Sequence, residues 1–171
     1  MDTLAVIVIV IVAVIVGAMF IGRTVRRSAA RAGDRYGRRT TAERTDAILE
    51  GLGRSLVIHA AEPAARAIVD GVVVAQPRRF SLLGDGGYGI RFIEADDAVV
   101  RLVGDADGTR MQLERSVERL GMPQNLEFWN DLRSQVASGA ESRGIPVTDG
   151  VRNSFERAGA DPAVWTMSAG G

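Results

Sequence analysis

Gly84-Asp85-Gly86-Gly87-Tyr88-Gly89 has the GxGxxG spacing that lets backbone approach a pyrophosphate in dinucleotide sites. That chemistry needs a helix directly after the glycines, whose first N–H groups receive the phosphates. Residues 90–94, IRFIE, follow instead and read as a strand, so the glycines are expected to close a hairpin. Asp105, Asp107 and Gly108 begin like a calcium loop. An EF-hand loop, however, requires glycine at its sixth position and glutamate at its twelfth, and Arg110 and Ser116 stand there. A turn is the expectation. Glu94, Asp96 and Asp97 crowd a second expected hairpin tip, where their charges would be solvated. His59 falls at the end of an expected strand and reads as structural.

Composition narrows the chemistry further. The chain has no cysteine, which excludes disulfides, thiolate metal sites and thiol nucleophiles. All 21 basic residues are arginine, as a GC-rich bacterial genome would encode. Without lysine there is no Schiff base, Walker-type phosphate loop or kinase-type lysine. One histidine cannot build a multi-histidine metal centre. An enzyme here would have to work with carboxylates, hydroxyls or backbone groups. The sequence indicates no catalytic residue, cofactor, metal or small-molecule ligand.

The position of this chemistry-poor body is set by the first forty residues. Leu4–Gly22 is nineteen residues without a charge or a side-chain hydrogen-bonding group. As a helix it would be ~28 Å long, close to the ~30 Å hydrocarbon core of a bilayer. Its valines and isoleucines suit a strand, but a lone strand in lipid cannot satisfy its backbone. Val16-Gly17-Ala18 offers small residues of the kind a signal peptidase accepts. A cleaved signal would nevertheless have a shorter apolar core and a basic start, and here only Asp2 precedes the run. An uncleaved single-pass signal anchor is expected over residues 1–22. Ala13 with Gly17, and Ala18 with Gly22, are small-x3-small pairs that permit close helix packing, either with a second copy or with another membrane protein.

Residues 23–40 form a basic juxtamembrane segment. Arg23, Arg27, Arg31, Arg35 and Arg39 recur at every fourth position, a slowly drifting helical stripe that would face anionic headgroups. The plainer alternative is a solvated stop-transfer cluster, and Gly33 and Gly37 weaken a continuous helix. Arginine on this flank places the body in the cytoplasm and the short N-terminus outside a bacterial cell membrane. Charge divides in the same way. Residues 23–44 hold eight arginines against Asp34 and Glu43, whereas residues 45–171 hold thirteen against eighteen acids. A mildly acidic body suggests no nucleic-acid role.

Residues 41–171 read as one cytosolic α+β domain, with an antiparallel sheet of three or four strands on helices. A short amphipathic helix is expected from a capping box at Thr40 and Glu43, followed by Ala47, Ile48, Leu49 and Leu52 and ending at Gly51 or Gly53. Ser55–His59 suits a strand. Glu62-Pro63 opens a helix whose apolar face is Ala65, Ile68, Val69, Val72 and Val73. Phe80–Leu83, Tyr88–Glu94 and Ala98–Val103 suit a meander. Residues 109–120 fit either state: Leu113, Val117 and Leu120 make a helical stripe, while Thr109, Met111 and Leu113 alternate. The helix is marginally preferred. Leu126, Trp129, Leu132, Val136 and Ala140 mark a long amphipathic helix. Asp149 is expected to cap a last helix with Val151, Phe155 and Ala158 inward, and Trp165 to anchor the tail. Phe128 and Trp129 are adjacent on the long helix and cannot both face fully inward; packing of both at the edges of the apolar face is the leading expectation, and one of them as a partner contact is the alternative.

In element order alone, over residues 54–143, the domain resembles the helix-grip arrangement of START-like lipid-binding domains, which would imply an apolar ligand. The leading expectation is a non-catalytic accessory or scaffold protein, such as a small subunit of a membrane complex. A tethered module for a lipid or other apolar ligand comes second, and an enzyme using carboxylates or hydroxyls third.

Overall fold

The computed structural model describes residues 41–159 and 162–168. The expected anchor and basic segment lie outside these residues, and with them Ala13, Gly17, Ala18, Gly22, Arg23, Arg27, Arg31, Arg35 and Arg39.

The first described residues, 41–52, form helix α1, whose Leu52 is buried and whose Ile48 and Leu49 are half-buried. Strand β1 (Leu56–Ile58) leads into α2 (Glu62–Ala75), where Pro63 occupies a first-turn position that needs no N–H. The meander follows as β2 (Phe80–Leu82), β3 (Tyr88–Ile90), β4 (Ala98–Asp105) and β5 (Gly108–Arg119). After a short β6 (Met122–Pro123) comes α3 (Leu126–Glu141), then β7 (Val147–Asp149), β8 (Phe155–Ala158) and β9 (Val164–Met167).

Every pairing is antiparallel. The main path runs β2-β3-β4-β5-β1-β7. β5 is its spine. It pairs β4 over most of its length, β1 through Thr109–Met111, and β9 through Arg115–Val117, with β8 beyond β9. The core lies between sheet and helices. Ala65, Ile68, Val69 and Val73 of α2 and Trp129, Leu132, Val136 and Ala140 of α3 meet Leu56, Ile58, Phe80, Tyr88, Ile90, Val100, Met111 and Leu113 in one cluster. This two-layer packing buries the stripe of each helix and one face of the sheet. A mixed domain with an antiparallel sheet is therefore what residues 41–168 form, with nine strands among the described residues instead of three or four.

Two expected helices are strands. Residues 109–119 lie in β5 and Leu120 in the turn that follows, because β4 on one flank and β1 and β9 on the other take up the strand's backbone groups. The apparent helical stripe is not a face: Leu113 is buried, yet Leu120 is 94% exposed. Asp149 caps nothing and ends β7 beside β1, while Phe155 and Ala158 lie on β8. Val151, expected inward, is exposed. The strand expected over Tyr88–Glu94 stops at Ile90, and Arg91 onward turns away. Trp165 does fix the tail, its Nε1 donating to Glu118 at 3.0 Å.

Candidate interaction surface

Beyond the Ala98–Ser116 pair, β3, β4 and β5 run out at one end of the sheet. The connection from β3 to β4, residues 91–97, folds there around Asp97, which is 1% exposed. Its Oδ2 accepts the N–H groups of Ile93 (2.6 Å) and Glu94 (2.8 Å), and its Oδ1 accepts Arg119 Nη2 (2.7 Å). The Asp97 carbonyl takes the Val117 N–H at 2.6 Å, tying the loop to β5. The Ala95 carbonyl accepts the Ser81 hydroxyl at 2.8 Å. It also lies over Gly89, where an added Cβ would come within 2.1 Å of it. That close approach is why a glycine stands in the middle of β3.

Burial alone would push the Asp97 carboxyl up, but the Arg119 guanidinium and the two amides outweigh it and hold the group below the ordinary carboxylate value. Asp97 is thus a clamp under the loop, and the expectation of a solvated acid fails for it. Nothing local in the sequence pointed to this, since its cation lies 22 residues downstream.

The clamped loop turns its apolar side chains outward. Phe92 is 44% exposed and Ile93 58%. Arg119 connects this loop to the β5–β6 hairpin, a two-residue turn between the paired Arg119 and Met122. Leu120 and Gly121 occupy the turn with φ of 55° and 76°, the left-handed pair of a type I′ turn. A leucine in that region is strained, and this one projects into solvent. One end of the sheet therefore presents Phe92, Ile93 and Leu120 on two mutually braced loops.

The charges around them are largely matched. Arg79 pairs with Asp131 at 2.7 Å, Arg115 with Asp96 at 2.6 Å, and Arg119 with Asp97. Trp129, one of the two candidate partner contacts, is fully buried and belongs to the core; its position on the inward stripe of α3 removes it from any surface. Phe128 is the side chain left at the rim, half-buried, with the Arg79 guanidinium 5.6 Å above its ring.

The other candidates resolve as structure. The glycine motif is the β2–β3 hairpin. Its Asp85 accepts the Gly87 N–H and pairs with Arg101 at 2.5 Å, and Arg101 also reaches Glu114 at 2.5 Å. These two carboxylates raise the Arg101 pKa. Asp105 and Gly108 are the paired ends of the β4–β5 turn. His59 bridges that turn to β7, with Nδ1 3.1 Å from the Asp107 carbonyl and Nε2 3.0 Å from Thr148 Oγ1. Tyr88 donates to Asp70 at 2.8 Å, and burial followed by that bond pushes its hydroxyl pKa up.

A groove of about 480 Å³ runs between α2 and α3, lined by Ile68, Gly71, Val72, Ser138 and Gly139 among others. Strand, helix, meander and long helix follow one another in the expected order, but between α3 and the sheet stand Trp129, Leu132 and Val136, packed into the core. Among the described residues no metal-ligating cluster forms, and no helix is long and apolar enough to cross a membrane. Compared with protein-family models, with curated proteins and with solved structures, the chain finds no match.

Proposed function

We propose that this chain is a non-catalytic, single-pass membrane accessory protein, whose anchor meets a partner membrane protein or a second copy and whose body works on the cytoplasmic face. The observation that carries this reading is the end of the sheet that holds Phe92, Ile93 and Leu120 outward. The buried Asp97 carboxylate and its ion pair with Arg119 fix those loops, and fixed apolar side chains held outward support a body that meets another surface. The chemistry-poor composition and the small-residue seam at Ala13 and Gly17 support it from the sequence.

Crosslinking of the full chain in membranes, followed by native migration in mild detergent, tests the reading. A defined complex should form, survive Val14→Leu and be lost with Gly17→Leu, which adds bulk at the seam while keeping the segment apolar. Equal migration of all three would make the anchor a passive tether.

The α2–α3 groove favours a second reading, a tethered module holding an apolar ligand, because its volume falls in the range of small-ligand sites. In that case stoichiometric lipid would accompany the purified chain and be displaced by Gly71→Leu, which fills open space.

A further inference from the structure

We infer that the Phe92–Ile93–Leu120 end of the body rests on the lipid bilayer, with these three side chains seated at the headgroup level. The inference builds on the membrane-anchor reading and adds a defined face to it. The occupant follows from the form and charge of this end. The three apolar side chains stand exposed on two separate loops, Phe92 and Ile93 between β3 and β4 and Leu120 in the β5–β6 turn. A protein partner would need matching pockets for them, whereas a bilayer interface accepts separate apolar protrusions wherever they stand.

Charge agrees. The body as a whole carries thirteen arginines against eighteen acids. At this end, however, Asp96, Asp97 and Asp131 are each neutralised by an arginine. Arg78 and Arg91 make no ion pair among the described residues, and they offset Glu94 together with Glu127 in the first turn of α3. A near-neutral end in an acidic body is repelled less by an anionic leaflet than the body's overall charge implies.

Leu120 adds an independent point. A type I′ turn favours Asn or Gly at its first central position, and a solvent-exposed site favours a polar residue. Leucine satisfies neither demand in water. At a bilayer interface its side chain has a reason to be there, and the backbone strain is the accompanying cost.

The chain has no native cysteine, so a single introduced cysteine carries one spin label. Full-length Ile93→Cys, Leu120→Cys, Ala106→Cys and Val14→Cys are reconstituted in phosphatidylethanolamine–phosphatidylglycerol vesicles. Collisions with oxygen, which concentrates in lipid, are compared with collisions with a water-soluble nickel chelate. Ala106 is exposed at the β4–β5 turn, at the far end of the same strands, and Val14 lies within the expected anchor.

The oxygen-to-chelate ratio at positions 93 and 120 should exceed that at 106 severalfold and approach that at 14. Introducing Leu120→Asn, which suits the turn, should move the label at 93 toward the chelate while the fold is retained. If 93 and 120 match 106 while 14 stays in lipid, the inference is wrong and the anchor stands. If 14 is in water, the anchor reading fails, and lipid contact at 93 and 120 then decides the inference alone. Spin–spin broadening between copies labelled at 120 would mean that a second copy covers this end, which also overturns it.

Discussion

At the scale of single residues, two positions carry most of what distinguishes the exposed end, and both give measurable consequences. Leu120 sits at φ 55° where an L side chain costs about 1 kcal/mol or more. Leu120→Asn should therefore raise the stability of the folded body by roughly 0.5–1 kcal/mol, read as a higher urea midpoint with an unchanged slope. A lower midpoint would mean that Leu120 packs against something in the folded state. Asp97 behaves in the opposite sense. Asp97→Ala leaves Arg119 and two amides without their acceptor, at about 2–3 kcal/mol. Its pH dependence has a definite sign. The folded carboxyl titrates below its ordinary value of 3.8, so its contribution is fully present above that pH and is lost as pH falls below it through the folded pKa. Asp97→Asn should flatten that acid limb of the stability profile, and an unchanged limb would mean other carboxylates set it. At this scale the sequence was half legible. The heptad-like spacing on α3 correctly placed Leu132, Val136 and Ala140 inward, and taken strictly it assigns Trp129 to the core and Phe128 to the rim. The burial of Asp97 had no such signal, because its partners come from a loop fold and a distant strand.

Elements whose character is local were readable, and those defined by distant pairing were not. α2 and α3 follow from apolar spacing, a proline in the first turn of one, and length. The meander follows from alternation and glycine-rich turns. β5 shows both periods at once, and what decides it is not in its own residues: opposite the neighbouring β4, its other flank is occupied by β1, some fifty positions earlier, and β9, some fifty later. The same holds for β7, β8 and β9, short strands that exist only as additions to edges already formed. Gly89 offers a test of how the exposed loop depends on its strand. A methyl group at that position would meet the Ala95 carbonyl at 2.1 Å, so Gly89→Ala must lift residues 91–97 from β3 and break the Ser81 hydrogen bond. The expected cost is about 1–3 kcal/mol, with faster hydrogen exchange at the Ile93 and Glu94 amides. Unchanged protection of those two amides would show that Asp97 alone sustains the loop.

For the whole molecule, two different forces are proposed to hold the body to the membrane, and salt separates them. The arginines at 23, 27, 31, 35 and 39 would act through charge, and the Debye length falls from about 10 Å at 0.1 M salt to about 3 Å at 1 M. Phe92, Ile93 and Leu120 would act by leaving water, a contribution that salt does not screen. Spin labels on the full chain at Arg31→Cys and Ile93→Cys should therefore diverge as salt is raised: the label at 31 moves from the headgroup level toward water, while the label at 93 keeps its lipid contact. Replacing Arg27 and Arg35 by Gln should mimic high salt at position 31 and leave 93 unaffected. If both labels move together, the sheet end is carried to the surface by the basic segment and has no affinity of its own. If neither moves, the arginines record only the direction of insertion, and the apolar end is the contact that orients the body.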